Sequence, residues 1–229
     1  MKLAAALALL LAYVPSSASL LKHAAARAQM LARTKEVTLS GTLEVRGEPL
    51  RTAHLVLRFP LQCKLDGEGG ISYSVKGTVD NPGALGEGTA GPALRLLQLA
   101  CPFLAYKGIP SAEAPQALRA AAQAAGADVG AAASITRFGD QVAYVLGAAV
   151  RDLASPQLWL YKDTAAPARL IAQGGADLRL LEYGNPAAGE WFPRVVELWT
   201  SGQLAARFEV LESKGARTAA QAEEDDSRE

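Results

Sequence analysis

At 229 residues, half of them apolar, the chain is long enough to bury a sizeable core, and its 23 Lys and Arg against 23 Asp and Glu leave no formal net charge. That balance leaves no basic stripe for a phosphate backbone, so nucleic acid is not expected as a partner. Two histidines, His23 and His54, exclude a multi-histidine metal site, and no Cys/His spacing for zinc is present.

Met1 and Lys2 lead an unbroken apolar run, Leu3 to Val14, that closes on Pro15-Ser16-Ser17-Ala18-Ser19. This pattern predicts a secretory signal peptide over residues 1–19, short of the ~20 apolar residues that span a bilayer. Cleavage is expected after Ala18 or Ser19, and neither is followed by the cysteine of a lipid-anchored precursor. The mature chain is therefore expected to be exported and soluble. In an oxidising compartment Cys63 and Cys101 are expected to pair, two reduced core thiols being the alternative; no Cys-x-x-Cys redox motif is present.

Leu20 to Glu36 is rich in alanine and straight-chain residues and reads as one helix. From Val37 the period changes to two: Val37, Leu39, Gly41, Leu43 and Val45 alternate with polar residues as a half-buried strand. After Gly47-Glu48-Pro49, a second strand sets Ala53, Leu55, Leu57 and Phe59 against Thr52, His54, Val56 and Arg58. Gln62 to Leu65 and Ile71 to Val79 follow as strands around a glycine-rich turn. Pro92 suits a first helical position, and Ala93 to Ala105 predicts a strongly apolar helix interrupted at Pro102. Ala114 to Ala125 is a second helix, ended by Gly126.

Strands resume at Ser134 to Phe138 and Gln141 to Leu146, a hairpin on Gly139-Asp140. They continue as Gln157 to Tyr161, Ala168 to Ala172, Asp177 to Tyr183, Arg194 to Thr200 and Leu204 to Leu211. Residues 216–229, acidic and without apolar residues after Ala222, are expected to be a disordered tail. Short connections require antiparallel neighbours, so the fold class is α+β: one large antiparallel sheet with its helices grouped together, in a single domain over residues 20–215.

Motifs for chemistry are weak. Gly86-x-Gly88-x-x-Gly91 has the spacing of a dinucleotide loop, but such a loop works between a parallel strand and its crossover helix, and these surroundings are antiparallel. Asp66 with Glu68, or Glu87 with Glu113, could meet as paired acids, although acids in glycine-rich turns are ordinarily just exposed. There is no Gly-x-Ser-x-Gly elbow and no lysine-containing phosphate loop. No catalytic residue, metal or cofactor is expected. The more telling feature is apolar excess on a sheet with only alanine-rich helices to cover it, an arrangement that tends to enclose an apolar cavity; a fully packed core is the alternative.

Leu158-Trp159-Leu160-Tyr161-Lys162-Asp163-Thr164, then Pro167, Arg169-Leu170, Asp177 to Tyr183 and Gly189-Glu190-Trp191-Phe192-Pro193-Arg194 before a final hairpin, resembles the LolA/LolB-like lipoprotein-carrier superfamily. The resemblance covers Gln157 to Lys214 well and the opening helix with the first two strands loosely. It implies an unclosed antiparallel half-barrel with an N-terminal helix and a helical lid over an apolar cavity. Ala93 to Ala105 and Ala114 to Ala125 would form that lid, with Leu96, Leu97, Leu99 and Phe103 among its residues. It also implies a soluble periplasmic carrier of lipids or lipoprotein acyl chains for outer-membrane lipoprotein sorting, served by inner-membrane release machinery and an outer-membrane receptor. An envelope-stress sensor and a lipid-binding structural protein of the same fold are the alternatives.

One departure bears on the lid. Soluble carriers end the second strand with Arg-Pro, whereas this chain reads Arg58-Phe59-Pro60. Alternation then turns Phe59 inward with Leu55 and Leu57 and Arg58 outward, away from a latch position. Cys63 and Cys101 suggest another fastening, from a strand end to the lid helix. The expected cavity lining is Leu43, Val45, Leu55, Leu57 and Phe59, joined by Phe208 and Val210 from the last strand.

Overall fold

The computed structural model describes residues 14–28, 34–78, 91–130, 132–184 and 191–215. Most of the expected leader, the acidic tail and most of the Gly86-x-Gly88-x-x-Gly91 loop, with Glu87, lie outside them. Eleven strands form one sheet: β1 (Glu36–Val45), β2 (Arg51–Arg58), β3 (Gln62–Gly67), β4 (Ile71–Lys76), β5 (Ser134–Phe138), β6 (Gln141–Leu146), β7 (Gln157–Tyr161), β8 (Pro167–Ile171), β9 (Ala176–Tyr183), β10 (Pro193–Thr200) and β11 (Gln203–Gly215). Their order is β4-β3-β2-β1-β11-β10-β9-β8-β7-β6-β5, antiparallel at every pairing, so the sheet is an unclosed half-barrel with β4 and β5 at its edges. Two meanders, β4 to β1 and β5 to β11, meet where the first strand pairs with the last.

The period-two pattern is what builds β1 and β2. Val37, Leu39, Leu43 and Val45 are buried while their alternates are not. Register carries the same face across the sheet: Leu55 opposite Leu39, Phe208 opposite Leu43, Val196 opposite Phe208, Leu180 opposite Val196, and Leu170 between Leu178 and Leu158. A bulge follows Ser40, and there Gly41 is required, because a Cβ at that position would lie 1.8 Å from the Glu209 carbonyl oxygen.

Three helices occur among the described residues: α1 (Ser17–Ala28), α2 (Pro92–Ala105) and α3 (Ala114–Ala124). The opening helix differs from expectation at both ends. It starts at Ser17, with the Ser16 hydroxyl capping the Ser19 amide, and Thr34 and Lys35 are not helical while Glu36 already belongs to β1. Helix α2 is not interrupted at Pro102 but runs through it, held by burial from Leu96 to Ala105 where local propensity would break it. Strand β2 stops at Arg58, so Phe59 is not a strand residue; it sits in the β2–β3 turn before a cis peptide to Pro60.

Helix α2 lies in the concavity, packed on β2, β3, β4, β9, β10 and β11; α3 packs against it, and α1 packs on α3 and on the helical turn that follows α2. Leucines of the concave face, α2 and the inner sides of α1 and α3 form one continuous core.

Candidate functional site

The concave face and the helix that fills it form the candidate site. Every residue from Leu96 to Lys107 is buried, so α2 has apolar contact all round rather than along one stripe. Leu43, Val45, Leu55, Leu57 and Phe208 share the continuous core with Leu96, Leu97, Leu99 and Phe103. Val210 is half-buried and packs against its rim. Phe59 reaches the core from the turn, lying against Gly108 so closely that a Cβ there would fall 2.0 Å from the Phe59 Cβ. Arg58 is turned outward, its side chain 59% exposed and paired with Glu36 at 2.6 Å.

Three bonds hold the far end of α2. Cys63 of β3 and Cys101 are joined as a disulfide, and both are fully buried. The Leu61 amide donates to the Ala105 carbonyl at 3.5 Å. In the helical turn after α2, Lys107 is only 4% exposed, and its Nζ donates to the Trp191 carbonyl at 2.6 Å. The ammonium position lies 4.4 Å from the Phe192 ring centroid, 5.7 Å from Tyr183 and 5.8 Å from Tyr106. Rings and a carbonyl favour a cation there, but no carboxylate pairs with it among the described residues. Burial accordingly lowers the Lys107 pKa from 10.5 to about 7, and raises that of Tyr106 and, with help from neighbouring tyrosines, Tyr183.

The sequence reading missed Lys107 and its ring cage. The one available signal was a single lysine inside the apolar run Phe103 to Ile109, which does not reveal that Tyr183 and Phe192 surround it. It also missed a second cluster on the convex face, where Ala143, Val145, Trp159, Tyr161 and Ala168 are buried beneath Phe138 and Val150. There Arg169 stacks 4.9 Å from the Trp159 centroid and bonds both oxygens of Asp177, at 2.7 and 2.8 Å; Arg179 shares that carboxylate and stacks 4.3 Å from Trp199.

The remaining candidates stay apart. Asp66 pairs with Lys64 and accepts from Ser72, which holds its carboxyl below the usual range, while Glu68 accepts from the Thr52 amide. His54 is exposed and bonds Ser40. His23 lines a cleft of about 220 Å³ beside α1, with Leu20, Tyr144, Leu160 and Lys162; Pro15 and Ser19 of the expected leader complete it. Among the described residues no three of His, Cys, Asp and Glu gather as metal ligands.

No protein-family model and no curated protein matches the chain. Among solved structures it is similar to a putative outer membrane lipoprotein-sorting protein domain from Vibrio parahaemolyticus, at 11% identity and a TM-score of 0.47, covering 91% of this chain and 98% of that one. It is also similar to a LolA superfamily protein from Nitrosomonas europaea, at 12% identity and a TM-score of 0.40, over 91% and 97% of the two chains. A third is the MucB chain type solved with MucA from Pseudomonas aeruginosa, at 15% identity and a TM-score of 0.30, over 88% of this chain and 59% of that one. The architecture, an open eleven-stranded antiparallel half-barrel folded around a helix, is the one that the sequence resemblance implies.

Proposed function

We propose that the protein is an exported periplasmic carrier that takes a lipid, or the acyl chain of a lipoprotein, on the concave face and releases it without chemical turnover. The observation that supports this is a helix buried continuously from Leu96 to Ala105 inside a sheet that does not close. Among the described residues, Leu96, Leu97, Leu99 and Phe103 hold α2 in the concavity by apolar, non-directional packing, with one disulfide, and an acyl chain offers the same surface to the same leucines. The half-barrel can therefore exchange helix for ligand without breaking a hydrogen-bond ladder.

The test is native mass spectrometry of protein purified gently from envelope extracts, with Leu57→Glu as the comparison. An acyl-bearing adduct is expected on the parent. Leu57 is fully buried, so the glutamate places an unpaired carboxylate among leucines at a cost of several kcal/mol. A parent without any acyl adduct, or a folded Leu57→Glu protein that holds as much lipid as the parent, would sink the proposal.

A further inference from the structure

Among the described residues, the fastenings of α2 are all at one end. Cys101 is bonded to Cys63, the Ala105 carbonyl accepts from Leu61, and Lys107 reaches the Trp191 carbonyl. Among the described residues, Pro92 to Leu97 hold to the sheet by packing alone: Ala93, Leu96 and Leu97 are buried, but no disulfide, ion pair or hydrogen bond joins them to a strand. Between the two parts sits Pro102, which has no amide hydrogen for the Gln98 carbonyl and crowds it, so the helix is weakest between Gln98 and Pro102. A void of about 20 Å³ lies at that level, lined by Gln98, Leu99, Pro102 and Phe103 of α2 and by Ala121 and Leu170. Room and a missing bond coincide at one point of the helix.

We propose that α2 is a one-ended gate: Cys101 to Lys107 stays on the sheet while Pro92 to Leu97 swings out about the Gln98–Pro102 link and uncovers the concave face beneath it for an apolar chain. The identity of that chain rests on the carrier reading above; the hinge does not. The disulfide then acts as a pivot rather than a clamp. It keeps the helix attached while one half leaves, and it fixes which half that is.

Native-state hydrogen exchange on the unreduced protein tests the polarity. The amides of Leu96 to Gln98 are expected to be at least about tenfold less protected than those of Phe103 to Ala105. Pro102→Ala restores the missing bond, so it should protect Leu96 to Gln98 several-fold and leave Phe103 to Ala105 unchanged. Replacing both cysteines by alanine should raise exchange at Phe103 to Ala105 toward the level of the other half. Equal protection of the two halves in the parent, or greater protection of the Pro92 side, would overturn the gate. Association of 11-(dansylamino)undecanoic acid, followed by fluorescence, reads the ligand separately: slower uptake by Pro102→Ala supports the gate. No uptake by any variant, with polarised exchange intact, removes the carrier reading and leaves the hinge standing.

Discussion

Replacing Lys107 by methionine keeps the length of the side chain in the cage of Tyr106, Tyr183 and Phe192 and removes the charge. With a folded-state pKa of about 7 against 10.5 for the free amine, the unfolded chain holds a proton between those values that the folded chain does not. The Lys107 contribution to stability therefore rises with pH across that window and is lowest, and flat, below about pH 7. At 1.36 kcal/mol per unit, the full difference is about 5 kcal/mol, and the side chain is too buried for solvent to screen it. Loss of the bond to Trp191 returns about 1 kcal/mol, so Lys107→Met should be more stable than the parent by roughly 4 kcal/mol at pH 6. That advantage should shrink by about 1.4 kcal/mol per pH unit from pH 7 toward pH 10. Urea denaturation of both proteins at matched pH values measures the difference, in which all other groups cancel. The buried tyrosines keep their protons longer in the folded state, so their contribution is lost as pH rises above 10, in both proteins alike. A flat difference between pH 6 and pH 10 would refute the argument, because it would mean that the folded protein keeps Lys107 charged at no net cost.

Thiol titration of the unreduced, denatured protein should find no free thiol, and replacing Cys63 and Cys101 by alanine should cost roughly 4 kcal/mol, the chain-entropy value for their 38-residue separation. Because both sulfurs are fully buried, dithiothreitol should cleave the bond only at the rate at which the core opens, measured by quenched alkylation. Gly41→Ala places a Cβ 1.8 Å from the Glu209 carbonyl oxygen and should cost at least about 2 kcal/mol of unfolding free energy in urea denaturation, whereas Gly47→Ala in the open turn should cost less. Asp177→Ala leaves Arg169 and Arg179 facing each other across β8 and β9 with no carboxylate between them, and should destabilise by about 2–3 kcal/mol, more at low salt than at high.

Strands were legible wherever one face is wet. The alternation from Val37 to Val45 locates β1 to within one residue, and the same holds at β5 and β6, because a polar alternate or a turn glycine marks each boundary. Alternation alone also extended β2 to Phe59, whereas the ladder ends at Arg58 and Phe59 belongs to the turn. The break expected at Pro102 is a local penalty, and it is outweighed by the burial of ten neighbouring side chains that the sequence does not assign to a common place. Concave-face residues were identifiable because Leu43, Leu55 and Leu57 repeat with a period of two. Lys107 was not, since its environment is made by Tyr183 and Phe192, 76 and 85 positions away. Convex-face burial of Trp159 and Tyr161 was likewise hidden: β7 reads as a plain apolar run, and only the tertiary fold shows that both of its faces are covered.

The pairing of β1 with β11 sets the order in which this protein can be made. Val45 meets Ala206 and Leu43 meets Phe208, so the partner of the first strand is synthesised last. Each meander, β1 to β4 and β5 to β11, consists of strands that pair with their neighbours in the sequence and can form as it emerges. The seam between them closes a loop of more than 150 residues, an entropic step that only the completed chain can take. Until then β1 offers an unpaired edge beside its leucine face, the combination most prone to joining another chain. A polypeptide built this way gains by staying unfolded until β11 is free to pair with β1.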